Sequence, residues 1–422
     1  RPLHAPGAED SPLNPLDAGY ALAAAAAAPI LLRKQRGGWD ERLGSVRELK
    51  PSRDRPRVML HAVSVGETNA LRTLVPLLTE HADVVVTATT DTGIARGRDL
   101  FGGVATVARF PLDFSWSVDR FLRRVRPDVV GMVELELWPN FLSACERAGI
   151  PTAVINGRLS ERSFRGYARL KPVIGGMFGS LAWACVQDDS YAERFRAMGV
   201  RRVEVTGSMK WDAANLEPVG EAAEELAAAM GIDRSKPLIV AGSTGPDEEK
   251  LLREACPPSV QLLCAPRKPE RFDGAALDLE PCVRRSRPDV RPRGATRFLL
   301  DTIGELRAAY ELADVVVMGR SFGDLFGSDP IEPIALGRAT LIGPRVSDFE
   351  AVVEAFDAAG GIIRTDRDRL ADDLARLVRD EGERERVASR GRVCVEANRG
   401  ASRMHAAVLL DLVKLRQRSR RD

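Results

Sequence analysis

Residues 313–337 read "ADVVVMGRSFGDLFGSDPIEPIALG", and how this stretch is read decides the fold. The apolar, β-branched run between Asp314 and Gly319 has the composition of a parallel strand buried on both faces. It stops in a glycine-rich loop that delivers Asp329 and Glu332 to the start of a short apolar helix. Asp329 as N-cap, with Pro330 at the first helical position, explains that loop as capping. The carboxyl end of a parallel strand is also where open α/β sheets bind ligands, so the same loop reads as a site.

The pattern recurs on both sides. From Arg57, "RVMLHAVSV", "ADVVVTATT", "VATVARF", "PDVVGMVE", "IPTAVIN", "LAWACVQ" and "VEVTGS" alternate with helical stretches such as 69–81 and 141–149. After "NLEPVGEAAEEL" the alternation restarts with "KPLIVAGST", "VQLLCAPR", "TRFLLDT", "ADVVVMGRS", "ATLIGPR" and "GIIRT". Strand–helix repetition of this kind builds parallel sheets, so the fold class is α/β with two doubly wound, Rossmann-like domains facing a cleft. The boundaries fall at 37–215 and 216–398, preceded by an anchor segment at 13–36 and followed by a C-terminal helix and basic tail at 399–422. Met404, Val408, Leu412 and Leu415 mark the apolar stripe expected of that helix.

Composition narrows the function. The 62 basic and 60 acidic residues nearly cancel, but Arg crowds residues 33–57, 284–297 and 416–421, which suits phosphates or an anionic lipid surface as well as a solvated face. Aromatics are only 5% and do not interleave with basic residues, so no nucleic-acid partner is expected. Six cysteines without CxxC spacing and only four histidines speak for buried thiols and against a metal site. No cofactor is expected. Ala18–Leu32, "AGYALAAAAAAPILL", is uncharged and is followed by "RKQR". The run is shorter than the ~20 residues a spanning helix needs, and its charge lies on the wrong side for a signal peptide. A membrane-dipping anchor with its basic flank in the cytoplasm is the expectation.

The strand-end loops carry the polar chemistry. In the second half, "VAGSTGPDEEKLL" offers Ser243 and Thr244 at a strand-to-helix turn, where amides and the helix dipole suit a phosphate. The same residues also read as an ordinary cap with acids in the first turn. "CAPRKPERF" adds Arg267 and Lys268, "DTIGEL" follows another strand, and "GRSFGDLFGSDPIEP" contributes Ser321, Ser328, Asp329 and Glu332. A carboxylate such as Glu332 accepts two ribose hydroxyls well. In the first half, "HAVSVGET" supplies Ser64, Gly66 and Glu67, and "ELELWPN" supplies Glu136 beside Glu134. "NGRLSERS" supplies Arg158 and Arg162, "TGSMKWD" supplies Lys210, and "GWDERLG" places Glu41 just beyond the anchor.

Taken in order, "HAVSVGE", "ELELWPN", "NGRLSERS", "TGSMKWD", "DTIGEL" and "PIEP" resemble the 3-deoxy-D-manno-octulosonic acid (Kdo) transferases of lipid A assembly, over essentially the whole chain from about residue 15. The resemblance implies a GT-B fold, CMP-Kdo as donor and a lipid A precursor as acceptor. It also implies inverting transfer without a metal, at the cytoplasmic face of the inner membrane. Glu41 matches the family's catalytic base. The resemblance assigns the donor to Ser243, Thr244, Arg267, Lys268, Ser321, Ser328, Asp329 and Glu332. It assigns the acceptor to Ser64, Gly66, Glu67, Glu136, Arg158, Arg162 and Lys210. Three donor-side histidines of the family pattern are replaced here, by Gly245, Lys268 and Ser328, and Asp329 stands for its Asn. Lys268 keeps a cation, whereas Asp329 adds negative charge beside an anionic ligand. These departures open two other readings: a transferase using a different CMP- or UDP-sugar, and a degenerate protein that only binds the lipid A precursor.

Overall fold

The computed structural model describes residues 16–20, 37–51 and 55–419, the side chains of 172 and 173 excepted. The chain divides into unit 1, residues 1–213 with 399–422, and unit 2, residues 214–398. Unit 1 holds β1 (Arg57–Ala62), β2 (Asp83–Ala88), β3 (Thr106–Arg109), β4 (Val129–Val133), β5 (Thr152–Gly157), β6 (Trp183–Val186) and β7 (Val203–Val205). They form one sheet in the order β3-β2-β1-β4-β5-β6-β7. Every pairing is parallel.

The sheet is covered on both faces, as its continuous apolar runs require. Along β1, Val58, Leu60 and Ala62 join one core cluster while Met59 joins the other. Fully burying a Val, Leu or Met side chain contributes roughly 1.5–3 kcal/mol. The helix Ala401–Ser419 closes the first of these faces, with Val408, Leu409, Leu412 and Val413 in the cluster. Its buried face differs from the stripe read in the sequence, because Met404 and Leu415 are exposed while His405 and Arg416 are buried. Hydrogen bonds make that possible. His405 Nε2 accepts the Asn156 N–H at 2.9 Å, and Arg416 Nη1 donates to the Pro127 carbonyl at 2.6 Å.

Unit 2 holds β8 (Leu238–Thr244), β9 (Gln261–Pro266), β10 (Val283–Arg284), β11 (Arg297–Leu299), β12 (Val315–Met318), β13 (Ala339–Ile342) and β14 (Ile363–Arg364). Their order is β10-β11-β9-β8-β12-β13-β14, again all parallel. Strand order reverses between β1 and β4 in unit 1 and between β8 and β12 in unit 2. At such switch points the outgoing loops part and leave a crevice at the carboxyl edge.

Most of the expected anchor, residues 13–15 and 21–36, lies outside the described residues. Residues 16–20 form a helical turn docked on unit 1 by polar bonds. Asp17 accepts from the Ser115 N–H at 2.9 Å and from Asn140 Nδ2 at 2.9 Å, and the Tyr20 hydroxyl donates to Asp113 at 3.0 Å. Among the described residues no helix is long and apolar enough to cross a membrane.

Candidate active site

In unit 1 the loops after β1 and β4 meet at the switch point. Ser64 caps the helix Val65–Ala70, and its hydroxyl donates to Glu67 Oε1 at 2.8 Å. The other oxygen of Glu67 accepts the Val63 N–H at 2.8 Å, so Glu67 serves the turn itself. Gly66 lies exposed on the first turn of that helix. Glu134 takes the left-handed conformation at φ 59°, which turns the chain at the end of β4. Burial first, then the neighbouring Glu67, raises the Glu134 carboxyl above its ordinary range, against the pull of Arg158 and Lys210. Burial, with Glu67 and Glu134 nearby, pushes the Glu136 carboxyl up to about 7. The structure therefore brings together Glu67, Glu134, Glu136, Arg158 and Lys210. Arg162 is exposed on the helix Glu161–Arg169, which buries none of its residues.

Lys210 is delivered by a chain of backbone ties. Asn156, left-handed at φ 52°, accepts the Met209 N–H on Oδ1 at 3.0 Å and so fixes the helix Met209–Asp212. Asp212 in turn accepts the N–H groups of Gly400 and Ser402, each at 2.6 Å.

Glu41 lies on the β2–β3 side of the same carboxyl edge, in the short helix Trp39–Arg42. Its Oε2 is buried, sits 3.7 Å from Arg109 Nε, and has no hydrogen-bond partner. Arg109 also pairs with Asp91 at 2.5 Å, and Arg42 reaches Asp91 at 3.3 Å, so the two guanidinium charges share two carboxylates. Gly38 makes this packing possible: at φ 70°, a Cβ there would lie 2.2 Å from Arg109 Nε. Thr90, next to Asp91, donates to the Val63 carbonyl at 3.0 Å and links this group to the Ser64–Glu67 turn. A concavity of about 560 Å³ in unit 1 opens elsewhere, between Arg57, Asp83 and Gly103 at the amino-terminal edge. It lacks the strand-end chemistry.

In unit 2 several of the residues assigned to the donor make internal hydrogen bonds. Thr244 is fully buried and donates to Glu249 Oε1 at 2.6 Å. Ser321 is also fully buried, donating to the Met318 carbonyl at 2.6 Å and accepting the Gly343 N–H at 2.8 Å. Both hydroxyls are engaged in these internal bonds. Ser243 is left-handed at φ 56°. The helix starts one residue later than the capping reading places it, at Ile331 with Pro330 as N-cap, and Asp329, one position further out, accepts the Ile331 N–H at 3.0 Å. The Ser328 hydroxyl is buried without a partner.

Arg267 and Lys268 are exposed just past β9. The Arg267 N–H donates to the Thr244 carbonyl at 3.1 Å, a tie that holds the β9 loop against the end of β8. Glu332 is half exposed and lies 3.9 Å from Arg307. The charges of Arg267, Asp329 and Glu332 all act on one buried group, the Tyr310 phenol. Burial, then Glu332 and Asp329, push that phenol far above its ordinary range, while Arg267 pulls the other way. At Gly245 a Cβ would come within 2.8 Å of Leu325 Cδ1, so a side chain there would require Leu325 to move.

Sequence reasoning missed Glu248 and Glu249, which look like first-turn acids. Both are buried, and Glu249 holds Arg271 at 2.7 Å. Among the described residues no group of three His, Cys, Asp or Glu is arranged to hold a metal ion.

Comparison with known proteins fits this architecture. Residues 37–213 match the family model described as 3-Deoxy-D-manno-octulosonic-acid transferase (kdotransferase). A 3-deoxy-D-manno-octulosonic acid transferase of Bordetella pertussis is 32% identical, covering 93% of this chain and 98% of its own. Among solved structures, a glycosyltransferase from Rickettsia africae superposes with a TM-score of 0.60 at 12% identity, covering 86% of this chain and 99% of that one. UDP-GlcNAc 2-epimerase from Neisseria meningitidis superposes at 0.58 and 14% identity, covering 84% of this chain and all of that one. These likenesses give the fold, GT-B. With the Bordetella relative matched along nearly its whole length, the chain belongs to the 3-deoxy-D-manno-octulosonic acid transferase family and is a glycosyltransferase.

Proposed function

We propose that this glycosyltransferase moves Kdo from CMP-Kdo to a lipid A precursor, with inversion and without a metal ion, at the cytoplasmic face of the inner membrane. Glu41 is the general base. The observation that carries this reading is the Glu41 carboxylate, whose Oε2 is buried beside Arg109 with no hydrogen bond made to it. That oxygen takes the proton of the acceptor hydroxyl, the hydroxyl oxygen bonds to the anomeric carbon, and the bond from that carbon to the CMP phosphate breaks. Arg267 and Lys268, exposed at the carboxyl edge of unit 2, offset the charge on the departing phosphate. Glu332 accepts the ribose hydroxyls. Arg158, Arg162 and Lys210 meet the phosphates of the acceptor, and the basic flank meets the anionic leaflet.

The test is single-turnover transfer by Glu41→Gln at saturating CMP-Kdo and lipid A precursor, with product mass and anomeric configuration as readouts. The rate should fall at least ~10²-fold while both substrates still bind. A variant retaining more than about a tenth of the rate removes Glu41 from the mechanism. One observation favours a second reading: Glu136, held at about 7, has the pKa a base near neutrality needs.

A further inference from the structure

Glu248 has no role in the reading above, yet it lies at the centre of the unit 2 switch point. It is 1% exposed. Its Oε2 accepts the N–H groups of Gly245 at 2.7 Å and Arg320 at 2.6 Å. Its Oε1 accepts those of Ser321 at 2.9 Å and Phe322 at 3.0 Å. A carboxylate offers about four lone-pair sites, and here backbone donors fill them all. The donors belong to two different loops, one leaving β8 and one leaving β12, the neighbours between which the strand order reverses.

Both loops are strained. Ser243, Asp247 and Arg320 sit in the left-handed region at φ 56°, 63° and 60°. Such conformations persist only where the surroundings over-determine them. The loops also touch at backbone level, since a Cβ on Gly319 would lie 2.6 Å from the Ser243 carbonyl oxygen. Successive amides such as those of residues 320–322 make a concavity that binds anions. Its occupant here is the chain's own carboxylate.

We propose that Glu248 is a positioning residue of the donor site: an internal anion that locks the β8 and β12 loops into the shape that receives the phosphate of a nucleotide sugar. This rests on the reading of unit 2 as the donor-binding unit. Removing the charge leaves buried N–H groups without acceptors, and the strained turns lose the tie that holds them.

Glu248→Gln keeps the shape but turns an NH₂ group toward backbone donors. Its CMP affinity by calorimetry should fall at least about tenfold, and the donor KM should rise in step. The acceptor KM and the kcat at saturating donor should stay within about threefold of wild type. In the wild-type protein the amides of Gly245, Arg320, Ser321 and Phe322 should exchange with solvent as slowly as those of β8 and β12. That measurement decides the question even if the variant does not fold. Fast exchange at these four amides overturns the proposal, as does an affinity loss spread equally over acceptor KM and kcat. A wild-type protein that binds neither CMP nor UMP overturns the donor reading and this inference with it. A wild type that binds CMP no better than Glu248→Gln overturns the inference alone.

Discussion

Glu67, Glu134 and Glu136 stand close enough that the charge on two of them raises the pKa of the third. The like charges leave a signature. The Glu136 carboxyl carbon should titrate near 7 in wild-type NMR spectra and lower in Glu134→Gln, where one repelling charge is gone. With Glu41 as base, the acid limb of the pH–rate profile stays in place in that variant. A limb that moves with the Glu136 titration transfers the base to Glu136. The sequence named most of these side chains, because acids and cations at strand ends stand out against apolar runs. It could not give their directions. Thr244 and Ser321 turn inward because neighbouring residues adopt left-handed backbones that no local pattern announces. Glu248 went unread because most of the N–H groups it accepts lie in a loop far along the chain.

Elements were more legible than side chains. Each β-branched run became a strand, and only β10 was missed, being two residues long. The stretch 69–81 read as one helix but forms two, Val65–Ala70 and Leu74–Thr79. Pro76 explains the break, since it has no N–H to offer the Arg72 carbonyl. A strand packs closely on a helix at Gly242 in β8, where a Cβ would lie 1.9 Å from the Tyr310 hydroxyl. Gly242→Ala is therefore expected to destabilise the protein by about 1–3 kcal/mol, the usual cost of overpacking. Denaturant midpoints would measure it, and Tyr310→Phe in the same chain should restore part of the loss by removing the clashing oxygen. An unchanged midpoint for Gly242→Ala would show that the helix Leu306–Leu312 shifts freely.

At the scale of the whole molecule, unit 1 concentrates groups that resist charging. Burial holds His61 down to about 3 and His405 to about 4, against an ordinary 6.5. Unfolding therefore takes up protons below pH 6.5, so their contribution is complete above that pH and is lost as pH falls toward 4 and 3. Asp113 and Glu136, raised by burial to about 6 and about 7, act oppositely, and stability falls as pH rises through their windows. His61 stacks on Phe110 at 3.7 Å, so His61→Phe preserves an aromatic contact while removing the titration. Its melting temperature should fall less steeply than wild type between pH 6.5 and 4, as read by calorimetry. Equal slopes would mean that His61 does not titrate with unfolding.

Unit 1 is also discontinuous, since the helix Ala401–Ser419 that covers one face of its sheet follows all of unit 2 in the chain. A ribosome thus starts this unit first and supplies its closing piece only after residues 214–398 have emerged. Until then, the strand face lined by Val58, Leu60, Ala153 and Ile155 waits without its cover, and Asn156 and Asp212 lack the partners that fix the turn bearing Lys210. A chain released early, after Asn398, would carry a complete unit 2 beside an unfinished unit 1. Chaperones and proteases could then tell it from a finished molecule by that bare apolar face.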